Sequence, residues 1–298
     1  MVFFRLSKRK LIDRLIAWFF AINGISTVFI VLGIFVFLAS IGLQAFTRIS
    51  PIEFFFSTDW NPTSFVEPRW GILSLVVGTL YIAVFSLIIA VPLGVACAIY
   101  LAQIASPTVR EILKPAIEMI AAFPSVVLGL LGLLILAPLI ADVFGLNSGL
   151  NALTASILVA IMALPTIISI SEDAITSVPT SYSDASLALG ANNWQTIRHV
   201  VVPAAMSGIV AAVMLGLGRV VGETMVVLMV AGNARALPTG FFDPVRPMTA
   251  TIAIEIKEVV VGDLHYQALY AVGLVLFIMT FAVNFAADIY LHRQEGNR

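Results

Sequence analysis

Six long apolar runs alternate with shorter polar stretches along this chain, at 15–43, 71–101, 116–140, 152–171, 205–231 and 268–291. Each reaches the ~20 residues that a helix needs to cross about 30 Å of hydrocarbon. No water is available to the backbone inside a bilayer, so each crossing segment must satisfy its own N–H and C=O groups, as helices do. The pattern predicts an all-α membrane protein with six transmembrane helices. Pro92, Pro124, Pro138 and Pro165 lie within these runs, where a missing N–H kinks or interrupts a helix. The first run is far longer than the ~7–15 residue core of a cleaved signal, and no small-x-small site follows it cleanly, so it is read as a membrane helix. The expected organisation is a tail, first helix and external loop over 1–70, then a transmembrane core over 71–291 with a polar loop at 172–204. A short tail over 292–298 completes it.

Composition adds weight in the same direction. Hydrophobic residues make up 60% of the chain and charged residues 11%, and the mean hydropathy is +1.04. A soluble domain of this length has no use for so much apolar surface. The formal net charge of -1 gives no electrostatic footprint for nucleic acid. Cys97 is the single cysteine and sits within an apolar run, which excludes an intrachain disulfide and suits a small core residue.

Basic residues set the orientation. Arg5, Lys8, Arg9, Lys10 and Arg14 crowd the tail before the first run and hold it in the cytosol. Six crossings return the C-terminus to the same side, with Arg293 and Arg298. The connections at 102–115 and 172–204 then also face the cytosol. Arg48, Arg69, Arg235, Arg246 and Lys257 are diluted over two longer external loops. The first of these, 44–70, holds Phe54, Phe55, Phe56, Trp60, Phe65 and Trp70, which read mostly as an aromatic belt at headgroup level, with some available as a landing surface for a soluble partner. The second, 232–265, contains Glu255, Lys257, Glu258 and Asp263 and is expected to hold a short interfacial helix around 249–260.

Within the cytosolic loop, residues 184–203 carry helix punctuation. Ser181 and Asp184 have capping-box spacing, and Gly190 suits the end of the helix they would start. Asn192 and Gln195 can cap a second short helix, with Pro203 following it. Two short helices joined by a glycine turn form a compact knob, of a size to enter a partner's cleft.

The fifth run contains Gly216-Leu217-Gly218-Arg219-Val220-Val221-Gly222-Glu223-Thr224. On a helix, Arg219 and Glu223 share one face at a spacing of four. Each costs about 2.5–3.5 kcal/mol at membrane depth on insertion scales, so such groups face a cavity, a partner or each other. The three glycines let another helix or a small solute approach the backbone. One reading makes the pair neutral glue between helices. The other turns the planar donors of Arg219 toward an oxyanion in a central pathway, with Glu223 orienting the guanidinium and moderating its grip. Thr224 adds a hydroxyl beside the pair, or simply bonds the backbone. Glu118 and Asp288 could line an inner vestibule, although interfacial snorkelling is the plainer role.

The polar loop resembles the EAA loop of ABC importer permeases, whose pattern is Glu-Ala-Ala, three residues, Gly, nine residues, Ile-x-Leu-Pro. Asp184, Ala185, Ser186, Gly190, Val200, Val202 and Pro203 fall at every one of those spacings, with Asp for Glu, Ser for the second Ala, and Val for both Ile and Leu. The run Met214 to Arg219 with Gly222-Glu223-Thr224-Met225 is similar to phosphate permeases of the PstC type, as are Ala116 to Val126 and Gly273 to Phe281. The likeness extends from about Trp70 onward. It implies a type I importer (MetI-like) fold in a bacterial cytoplasmic membrane, with Arg219 and Glu223 on the path of inorganic phosphate. It further implies a PstA-type sister permease, a PstB-type ATPase dimer on the cytosolic loop, and a PstS-type phosphate-binding protein outside.

Nothing in the sequence supports an enzyme. No Gly-Lys dipeptide exists to build a P-loop, and His199, His265 and His292 are too scattered for a His-Glu-x-x-His zinc site, so no cofactor is expected. A gradient-driven secondary anion transporter using the Arg219–Glu223 pair is the competing class, although the two halves show no matched repeat. A membrane docking protein that recruits a regulator is the third.

Overall fold

The computed structural model describes residues 2–64 and 66–295, with side chains described at 13–64, 66–286 and 289. In chain order, α1 (Val2–Gly42) is followed by α2 (Pro51–Phe56) and a two-stranded antiparallel ribbon of β1 (Trp60–Asn61) and β2 (Arg69–Trp70). Helix α3 (Leu73–Ile99) runs on through a π turn to Ile104, and α4 (Pro107–Ala122) follows. Next come α5 (Ser125–Leu131), a π turn, and α6 (Ala137–Phe144), which together make one crossing of 20 residues, then α7 (Ala152–Thr176). The polar loop forms α8 (Thr180–Ala188), α9 (Asn193–Thr196) and, beyond a π turn, α10 (Val202–Ala204). The chain closes with α11 (Met206–Val221), α12 (Met225–Val230), α13 (Met248–Glu255) and α14 (Leu264–Glu295).

Helix α7 is the axis of the bundle. Of its apolar window 61% is buried, against 33% for α3, 22% for the α5–α6 crossing and 0% for α1. Lipid tails are as apolar as leucine, so helices in a bilayer associate by close packing of small residues. Ile167 of α7 shows how this works. It is fully buried between Gly94 of α3 and Gly216 of α11, and a Cβ on either glycine would stand 2.7 Å from its side chain. Helix α1 lies outside this core and touches α14 through Phe35–Phe277 and Phe37–Tyr270. From Asp13 to Phe37 its side chains are exposed.

The elements sort to two ends. The α3–α4 junction, the α7–α8 junction and the polar loop share one end. The ribbon, the α6–α7 turn and the segment around α13 share the other, where Leu153 N donates to Phe241 O and Arg235 donates to Trp60 O. The charge bias makes the first the inner end and the second the outer.

Three expectations need correction. The third crossing covers 125–144 and not 116–140, because Phe123 and Pro124 are extended (ψ 130° and 134°) and detach α4 as a separate amphipathic helix at the inner end. The residue before a proline is pushed out of the helical region, which explains the break. The fifth crossing is not one helix: α11 stops at Val221, and α12 restarts at Met225. Among the described residues five helices are long and apolar enough to cross on their own, and a sixth crossing needs α11, which is bent by 67° from the helical stretch Asn193–Ala204. Last, the outer aromatic residues are less a belt than a core. Phe54, Trp60 and Trp70 are buried with Ile72, Leu75 and Met248, while Phe55 and Phe56 are exposed. Phe65 lies outside the described residues. Cys97 is half-buried in α3, short of full core burial.

Overpacking a buried contact costs about 1–3 kcal/mol. Gly216→Ala should therefore lower the melting temperature in detergent, and adding Ile167→Val should recover part of the loss. Additive losses would show that the two helices do not meet at Ile167.

Candidate functional site

The knob is built much as its punctuation suggests. Asn192 Oδ1 accepts from Gln195 N and Gln195 Oε1 accepts from Asn192 N, each at 2.9 Å, which completes a capping box for α9. Gly190 adopts φ +89°, and its N–H reaches Leu187 O while Ala191 N reaches Ser186 O. This pair of bonds closes α8 in a Schellman turn, where a glycine is the favoured residue. The Ser186 and Thr196 hydroxyls meet at 2.9 Å and tie the two helices together. Ser181 does not cap α8. That helix starts at Thr180, with Pro179 as its N-cap at ψ 133° and no side-chain cap bond. Pro203 does not follow the second helix but lies inside its last piece, after the backbone has widened into a π turn over Ile197–Val201. A proline has no N–H to continue the regular ladder there.

The knob sits on the bundle through Val201, buried with Ala98, Ile175, Ala205 and Ile209. Asp184, Ala185, Gly190 and Pro203 are exposed, and Ser186, Val200 and Val202 are half-buried. Leu189, Trp194 and Tyr182 project large apolar side chains from the same surface. His199 is exposed, and its Nδ1 lies 3.1 Å from Gln195 O.

The expected Arg219–Glu223 pair is absent among the described residues. With α11 ending at Val221, Glu223 leaves the face that Arg219 occupies. Its Oε1 instead accepts from Val226 N at 3.0 Å and caps α12. Thr224 donates to Gly222 O, the plain backbone role, and Thr249 of α13 donates to Glu223 O. Arg219, Glu223 and Thr224 are all half-buried. The Arg219 guanidinium has no hydrogen-bond or ion-pair partner among the described residues. Of the three glycines, Gly216 packs on α7, Gly218 borders open space and Gly222 ends the helix.

Two charge clusters escaped the sequence reading. At the inner end Glu172 of α7 is completely buried and gripped by Arg110 and Lys114 of α4, with Lys114 also 2.8 Å from Asp173. Hydrogen bonds to Asp173 and Glu172 hold the Lys114 ammonium above its ordinary value. Glu118 is exposed and shares a hollow of about 550 Å³ with these two cations. The Asp288 side chain lies outside the described residues, as do His292 and the basic tail residues Arg5, Lys8, Arg9 and Lys10.

At the outer end Glu255 is buried and receives four groups. Arg246 and Arg235 approach Oε1 at 3.1 and 3.5 Å, His265 Nε2 lies 2.8 Å from Oε2, and Trp60 Nε1 donates to Oε2 at 3.0 Å. Burial pushes the Glu255 carboxyl up, but the bonds from His265 and Trp60 and the charge on Arg246 outweigh it and hold the group below its ordinary 4.5. Such a carboxylate stabilises the fold above its ordinary value and loses that contribution as pH falls through the folded value. The melting temperature of the wild-type chain should therefore drop more steeply between about pH 5 and pH 3 than that of Glu255→Gln. Parallel profiles would remove Glu255 from the stability of the outer end.

Against this geometry, a family profile described as the inner membrane component of binding-protein-dependent transport systems matches residues 90–295. A probable ABC transporter permease protein of Bacillus subtilis, YqgH, is 42% identical over 83% of this chain and 80% of its own length. The phosphate transport system permease protein PstC of Mesorhizobium japonicum is 37% identical over 82% of this chain and 79% of its own. Among solved structures, a bacterial alginate ABC transporter superposes with a TM-score of 0.62 at 15% identity, over 93% of this chain and 94% of that one. The methionine ABC transporter MetNI, in an inward-facing form, gives 0.55 at 22% identity over 75% of this chain and 94% of that one. Both structures speak to the fold alone. The family leaves the gradient-driven alternative without support. The chain belongs to the binding-protein-dependent transport system inner membrane components, and is a multi-pass, non-catalytic permease subunit of an ABC transporter.

Proposed function

We propose that this permease carries inorganic phosphate across a bacterial cytoplasmic membrane, pairing with a PstA-type sister permease to form the path. A PstB-type ATPase dimer takes the knob at 184–203, and a PstS-type phosphate-binding protein delivers the anion at the outer end. The observation that carries the reading is the bare guanidinium of Arg219, one turn before the helix break in the fifth crossing. A permanent charge with no protein partner at membrane depth is costly, and a passing oxyanion supplies what it lacks. The names of the PstC relatives supply the choice of phosphate among oxyanions.

The residues divide the work. Arg219 offers a planar fork of donors that matches two oxygens of a phosphate. Glu223, one break away, keeps a negative charge near the path, so the anion is held weakly enough to leave. Thr224 and the unwound backbone at Gly222 loosen the helix where the solute passes. Asp184, Ala185, Ser186, Gly190, Val200, Val202 and Pro203 shape the knob, which transfers the closing of the ATPase into movement of the bundle. Packed interfaces of this kind move as rigid bodies.

In vesicles holding the permease pair, the ATPase and the binding protein, Arg219→Gln should abolish uptake of labelled phosphate while the complex still assembles. Collapse of assembly would instead make Arg219 structural. Gly190→Val places a β-branched residue at positive φ, a strain of about 1–2 kcal/mol. It should leave ATP hydrolysis running while uptake falls; normal uptake with normal ATPase binding would count against the knob.

A further inference from the structure

We propose that Glu172, Arg110 and Lys114 form a latch that makes α4 move with the knob, so that the knob's displacement reaches the helix break at Gly222–Thr224 through α4 and α5. The inference rests on the reading of residues 184–203 as the seat of the ATPase.

The latch stands at the foot of the knob. Glu172 lies in the second-last turn of α7, eight residues before α8 begins, and only Ser177–Pro179 intervenes between the two helices. Its carboxylate is wholly enclosed, and both of its oxygens are taken by cations of a different helix. Arg110 and Lys114 are four residues apart and therefore share a face of α4. Thr176, one turn further along α7, receives a second bond from Arg110, and Asp173 a second bond from Lys114. The remaining charges around the hollow are Glu111 and Glu118, both on α4 itself. Helix α4 buries no residue of its own. Its hold on the bundle at this end is therefore chiefly this clasp, and the two cations must follow wherever Glu172 goes. Pulling both cations away would strand a carboxylate that has no access to water.

The far end of α4 leads to the substrate site. Phe123 and Pro124 form an extended two-residue hinge, and α5 begins at Ser125. Helix α5 lies directly on α12, where a Cβ on Gly129 would come within 2.7 Å of Met229 Sδ and 3.4 Å of the Val226 Cα. Val226 is the residue whose amide binds Glu223. A shift of α4 therefore reaches the cap that defines the break, one turn from Arg219. Arg110, Lys114 and Glu172 are positioning residues in this scheme and touch no substrate.

The test measures ATP hydrolysed per phosphate taken up, in vesicles holding the full importer. Lys114→Met leaves Arg110 to neutralise Glu172, and Glu172→Gln keeps the shape of the buried side chain, so both variants are chosen to fold. Each should assemble and hydrolyse ATP near the wild-type rate, while ATP per phosphate rises roughly tenfold, within the usual range of coupling between sites. Lys114→Arg, which keeps the charge, should restore the wild-type ratio. An unchanged ratio in both Lys114→Met and Glu172→Gln, even with a lowered melting temperature, would reduce the cluster to a structural ion pair and overturn the latch. Gly190→Val run alongside separates the two claims. If it raises the ratio and the latch variants do not, only the latch falls. If it too leaves the ratio unchanged, the knob reading fails and the latch goes with it.

Discussion

An ionised side chain taken out of water must find an opposite charge or a set of donors, because desolvation otherwise outweighs anything gained by packing. This chain applies the rule at both ends of its bundle. Glu172 and Glu255 are almost fully enclosed. Glu172 is gripped by two cations of α4. Glu255 is gripped by Arg235, Arg246 and His265 of its own outer segment together with the indole of the distant Trp60. Each carboxylate thereby ties a peripheral element to the central packing: α4 at the inner end, and the β1–β2 ribbon with α13 at the outer. Arg219 breaks the rule between them. Its half-buried guanidinium has no partner among the described residues, which is what the proposed oxyanion path asks of it.

Much of this was legible because bilayers leave the backbone so few options. Length and apolarity alone located the crossings at α3, α7 and α14 to within a few residues. The knob was equally readable, since Gly190, Asn192 and Gln195 act through local geometry that needs no tertiary partner. What could not be read were breaks that depend on competition between local forces. Pro124 was a visible warning, yet the apolar run continued through it and concealed the detachment of α4. Gly222 gave less warning still. A face shared by Arg219 and Glu223 presupposes an unbroken helix, and the chain prefers to spend the Glu223 carboxylate on the amide of Val226.

The two missed clusters failed to register for a different reason. Glu172 follows directly after an apolar run, where a carboxylate is normally solvated, and its partners lie 58 and 62 residues away. The available signal was the i, i+4 pair of Arg110 and Lys114 in a connection assigned to the same side of the membrane. Trp60 and Glu255, 195 residues apart, offered no comparable cue. Aromatic residues near a membrane surface suggest a belt by default. Here Trp60 turns inward because its indole N–H has a buried carboxylate to meet.

The broken fifth crossing gives the permease a specific mechanical property. A continuous helix would carry Arg219 and Glu223 as one rigid face, and their charges would cancel whatever the rest of the bundle did. Ending α11 at Val221 places the two groups on separate bodies, one packed on α7 through Gly216 and the other on α5 through Met229. The distance between guanidinium and carboxylate then depends on how those two packings are arranged. On the proposed phosphate path, a counter-charge that moves with the scaffold would let Arg219 hold the anion in one arrangement and release it in another without changing a single ligand. That is the requirement of a transporter, which must bind and let go at the same place.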